Sequence, residues 1–117
     1  ALISLTKMDD LYTKLPHIAS MLDHIVEMME QLTSAVKNED VELAKETRQK
    51  DQKINILFDK CKKDVVMLIK EDEGNIDYYL DFLMISKYLE KIGDHIKNVC
   101  EWIEFNETGM IDNFKLV

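Results

Sequence analysis

The run YLEKIGDHIKNVCEW, residues 88–102, carries two patterns at once. Read as a helix, it sits inside an apolar seam of Tyr78, Phe82, Ile85, Leu89, Ile92, Ile96, Val99 and Ile103, spaced alternately four and three residues apart. That repeat faces a partner helix along its whole length, and no polar residue interrupts it. Offset by one residue from Leu89, a second stripe holds Glu90, Asp94 and Glu101, with Asn98 four residues after Asp94. Like charges at i and i+4 lie about 5–6 Å apart at Cβ and repel mildly. Three acids on one stripe therefore call for an explanation.

Working outward from this stretch, Gly74 supplies a helix stop and Asn75 an N-cap, with Asp77 in the first turn, so the helix spans about 76–106. The helix before it spans about 39–72, with Asn38 or Asp40 available as its cap. Its seam reads Ala44, Thr47, Asp51, Ile54, Phe58, Cys61, Val65 and Leu68. Asp51 is a charge where the pattern calls for a hydrophobe. The first helix spans about 15–37, opened by Pro16 and carrying Ile18, Leu22, Ile25, Met29, Leu32 and Val36, widened by Met21 and Met28. Residues 1–14 read as a lead-in or linker and 109–117 as a tail. Three long helices with short connections predict an all-α, antiparallel up-down-up three-helix bundle over 15–108.

A chain of 117 residues with three glycines and one proline suits one helical core. Its 15 basic and 23 acidic residues leave a net charge of −8, which argues against a nucleic-acid backbone or an anionic membrane surface as partner. Arg48 is the only arginine, so forked guanidinium recognition of phosphate is disfavoured. No apolar run approaches the ~20 residues of a membrane span. Cys61 and Cys100 show no C-x-x-C spacing and read as reduced core thiols of a cytoplasmic protein. The start at Ala1, without methionine, leads us to expect a fragment or processed chain.

Asp51 lies 23 residues before Gly74 and Asp94 lies 20 after it, so on antiparallel helices they sit at similar height. Asp51 and Asn55 facing Glu90 and Asp94 would form an oxygen-rich cluster suited to a hard or borderline divalent cation. A solvated acidic face, with Lys87 and Lys91 nearby, is the competing reading. His17, His24 and His95 read as surface or half-buried histidines, and no Glu-x-x-His pattern occurs. Nucleophile, glycine-loop and zinc-protease motifs are also missing, so no enzyme is expected.

The run YLEKIGDHIKNVCEWIEF, followed by Thr108 and Gly109, resembles the signature of the PhoU family of phosphate-signalling regulators. LPHIASM, NEDVELAKE and EDEGNI resemble that family's helix entry and turns. The resemblance covers one three-helix repeat, most like the second of the two that family members carry, and implies that the chain is half of such a protein. It further implies a cytoplasmic, often dimeric, non-enzymatic negative regulator coupling the Pst phosphate ABC transporter to a PhoR-type histidine kinase, with no membrane insertion. The family's E/D-x-x-x-D metal motifs, which imply a divalent or iron-type ion, fall on Glu90 with Asp94 and on Asp51 with Asn55. Asn55 departs from the usual aspartate and Lys91 from the usual arginine, which favours a weaker single-ion site over a cluster. The alternative is a PhoU-like structural bundle making homotypic or other transporter contacts, without a phosphate role.

Overall fold

Pro16 opens the first helix because its missing N–H is one the helix leaves unpaired anyway, and Leu15, just before it, is fully buried. A computed structural model describes residues 13–108 of the chain. The lead-in expected over 1–14 falls almost wholly, and the tail over 109–117 entirely, outside these residues. Helix α1 is Pro16–Asn38, α2 Val41–Gln49, α3 Asp51–Glu71 and α4 Ile76–Thr108, with a 3-10 turn over Glu73–Asn75. The α2–α3 pair runs as one rod antiparallel to its neighbours, giving the expected bundle of 54 × 26 × 20 Å.

Local chemistry explains the ends. Glu39 takes the left-handed conformation, φ 51°, to stop α1, and Asp40 caps α2 by accepting the Leu43 N–H at 3.1 Å. The helix expected over 39–72 is broken at Lys50. There Lys50 N–H and Lys53 N–H both bond three residues back, to the carbonyls of Thr47 and Lys50. The Thr47 hydroxyl lies 2.7 Å from the Leu43 carbonyl, a back-bond that bends helices. At the far end the expected stop at Gly74 and cap at Asn75 also differ. Gly74 sits inside the 3-10 turn, and Asp72 organises the corner, accepting from Asn75 Nδ2 at 2.8 Å and Tyr79 OH at 2.9 Å.

The core is continuous, and Phe82, Leu15, Ile18, Met21, Met28 and Ile54 are wholly buried. Each such side chain contributes about 1.5–3 kcal/mol on burial. The seam expected for α2 and α3 is observed, with Leu57 buried in addition and Leu68 half-buried at its end. On α4 the expected seam is half right. Phe82, Leu89 and Ile96 are buried, but the alternate row is Tyr79, Ser86, Gly93 and Cys100, not Tyr78, Ile85, Ile92 and Val99. Ile92 and Val99 are 39% and 42% exposed. Small residues take the inner row because α1 and α3 approach there: a Cβ on Gly93 would stand 2.9 Å from Asp51 Oδ1 and 3.3 Å from Ile25 Cδ1. Large side chains do not fit at that distance and flank the contact instead. On α1 the buried row likewise turns to Met21, Met28 and Ala35, leaving Met29 and Val36 exposed.

Candidate functional site

Asp51 sits at the first residue of α3, where the helix break delivers it to the bundle interior. It is 5% exposed, and its Oδ1 is buried without a hydrogen-bond partner in the structure. Burial raises its carboxyl above the ordinary carboxylate range; Lys97 opposes this, while Asp94, Glu90 and Glu101 reinforce it. The carboxylate lies over the bare backbone of Gly93, three residues after Glu90 and immediately before Asp94 on α4.

The expected residues are therefore brought together in part. Asp51, Glu90 and Asp94 share one electrostatic neighbourhood across the α3–α4 contact. Glu90 is half-buried and accepts from Lys87 Nζ at 2.6 Å; Asp94 and Asn55 are exposed. Among the described residues, no three His, Cys, Asp or Glu side chains converge as a metal ligand set. The donors are hard oxygens of the right chemistry, and Asp51 Oδ1 is an orphan beside Gly93. Holding a cation would require Glu90 to leave Lys87 and Asp94 to turn inward. Two residues escaped the reading of the sequence. Lys97 is one turn beyond Asp94, and Gly93 was visible as a mid-helix glycine, which costs ~1 kcal/mol against alanine and so marks close approach.

Other buried polar groups are used structurally. The only arginine, Arg48, clasps the nearly buried Glu104, with Nε to Oε2 at 2.7 Å and Nη2 to Oε1 at 3.4 Å. His17 Nδ1 meets Asp64 Oδ2 at 2.5 Å, and His24 Nε2 donates to the Lys50 carbonyl at 3.3 Å, at the helix break. Burial pushes the thiols of Cys61 and Cys100 up to about 12 and about 11, so neither is a nucleophile at neutral pH.

Apolar side chains are also exposed among the described residues. Val26, Met29 and Val36 lie on the flank of α1 away from His17, His24 and Gln31, which contact α2 and α3. Tyr88, Ile92 and Val99 lie on the flank of α4 away from Asp51's acidic neighbours, and Trp102 extends the row. The two rows border the α1–α4 groove.

Comparison with known proteins matches residues 18–103 to the PhoU domain family. The chain is 29% identical over 80 residues to the phosphate-specific transport system accessory protein PhoU homolog of Deinococcus radiodurans, covering 68% of this chain and 38% of the relative. It is 35% identical over 71 residues to PhoU homolog 1 of Thermotoga maritima, covering 61% and 31%. The Borreliella burgdorferi homolog is 36% identical over 59 residues, covering 50% and 26%. The chain thus spans about a third of the length of these relatives. No solved structure matches.

Proposed function

This chain belongs to the PhoU family, and from that premise we propose that it is a docking module of a non-enzymatic accessory regulator of phosphate uptake. In this reading the protein represses the phosphate-starvation response when phosphate is plentiful. It does so in the cytoplasm by contacting the phosphate ABC transporter ATPase, a PhoR-type histidine kinase, or both, as a homodimer. The relatives are named as accessory proteins of phosphate-specific transport, and no helix among the described residues is long and apolar enough to cross a membrane.

The observation that carries the reading is the double apolar row along the α1–α4 groove. A folded chain that leaves Val26, Met29, Tyr88, Ile92 and Val99 on one side has a surface made for another protein surface. The test is a phosphate-starvation reporter in a strain lacking the gene. Wild-type protein should restore repression in high phosphate, and the Ile92→Asp, Val99→Asp variant should not, while remaining folded by circular dichroism. A reporter indifferent to deletion would leave the structural bundle without a phosphate role as the better account.

The same proposal includes a single divalent or iron-type ion held by Asp51, Glu90 and Asp94, with Asn55 as a neutral fourth oxygen donor. The orphaned Asp51 oxygen supports it, and the neutral Asn55 makes it a weaker site than four carboxylates would. Such an ion would neutralise the acidic stripe and pin α3 to α4. Metal content measured without chelator, against a Glu90→Ala, Asp94→Ala variant, decides it: stoichiometric metal lost in the variant is expected, and none in either protein assigns the stripe to the solvated surface.

A further inference from the structure

The outer face of α3 carries a second seam that the core does not use. Lys53, Ile56, Lys60, Lys63, Met67 and Lys70 follow one another at alternating three and four residues, and all are exposed. None of the four lysines makes an ion pair among the described residues. Two acids of the same helix are already engaged: Asp59 by Lys62 at 3.2 Å, and Asp64 by His17. Between the lysines, Ile56 and Met67 are 51% and 55% exposed on the same stripe, where they would give a facing helix two apolar anchors. Beside Met67, Val66 and the stems of Lys62 and Lys63 line a shallow apolar depression.

We propose that this seam docks an acidic amphipathic α-helix of a partner protein. The two apolar anchors are eleven residues apart, about 16 Å along the helix at 1.5 Å per residue, or three turns of a facing helix. The lysine pairs 53–60 and 63–70 each repeat at seven residues along this seam, so a facing helix in heptad register would meet them with acidic side chains. Unpaired positive charge on a chain of net −8 is the complement of a carboxylate-bearing helix. A lipid surface fits less well. Interfacial helices sink a continuous apolar face, whereas the apolar face of α3 is in the core, and an anionic bilayer repels the rest of the molecule. This inference is independent of the phosphate-transport reading.

The probe is a fluorescein-labelled, three-heptad synthetic peptide with leucine and glutamate on its seam, titrated with the full chain and followed by anisotropy. Saturable binding is expected, weakened roughly tenfold or more by the Lys53→Glu, Lys60→Glu, Lys63→Glu, Lys70→Glu variant. The Ile56→Ser, Met67→Ser variant should also weaken it. A peptide with lysine replacing glutamate should bind the charge-reversed variant and not the wild type. Circular dichroism confirms that the variants fold. The proposal is overturned by absence of saturable binding, or by affinity indifferent to the lysines. It is equally overturned if lysine-dependent uptake occurs only on phosphatidylserine–phosphatidylcholine vesicles, or if the variants abolish only self-association, which would assign the seam to a second copy.

Discussion

At the scale of single residues, Asp51 and Gly93 form one feature. Gly93→Ala would gain ~1 kcal/mol of helix propensity, but its Cβ would stand 2.9 Å from a buried carboxylate and 3.4 Å from Ile54 Cγ2. Overpacking of this kind costs about 1–3 kcal/mol, so a net loss of stability is expected in urea denaturation, and a gain would mean that the contact is loose. Asp51 itself makes a pH prediction. Its folded carboxyl holds its proton to higher pH than the unfolded one, so above the ordinary value of 3.8 the native state binds more protons. Stability from this group is then lost as pH rises through the window between 3.8 and the raised folded value. In metal-free protein, Asp51→Asn should flatten that fall and be more stable at neutral pH by on the order of 1 kcal/mol. A less stable variant with the wild-type pH profile would show the carboxylate to be paired.

At the scale of elements, register decides which apolar residues matter. Leu89→Ala should cost about 2–5 kcal/mol because it opens the core, whereas Ile92→Ser, three residues on, should stay within about 0.5 kcal/mol of wild type. Comparable losses at both would restore the seam expected from the spacing. The short α2 depends on the clasp between Arg48 and Glu104, and Glu104→Ala removes the carboxylate that this half-buried guanidinium holds. A loss of about 3–5 kcal/mol is expected, mostly recovered in Arg48→Met, Glu104→Leu. Equal instability of the single and double variants, read from thermal unfolding, would mean that packing rather than charge holds α2.

At the scale of the whole molecule, the net charge conceals a partition: carboxylates gather where α3 meets α4, and unpaired lysines gather on the outer face of α3. Self-repulsion of the excess acids should make the folded chain salt-sensitive. Raising ionic strength from about 0.01 to 0.15 M shortens the screening length from ~30 to ~8 Å, and the thermal midpoint should rise by a few degrees. A fall would show that attractive pairs dominate.

Sequence alone determined the helical class, the three rods, their antiparallel order and the nearness of Asp51 to Asp94, because apolar periodicity and chain counting are one-dimensional quantities. It also identified the α2–α3 seam apart from the buried Leu57, since there most inner positions stand out against polar neighbours. Only the tertiary structure decided the rotation of α1 and α4, the break at Lys50 and the surplus apolar rows. Where the apolar arc is broad, periodicity admits two adjacent registers. The choice between them is made by how closely backbones can approach, which favours Ser86, Gly93 and Cys100 over larger neighbours. No spacing rule weighs a missing Cβ against a buried isoleucine, and that contest is settled only when three helices meet.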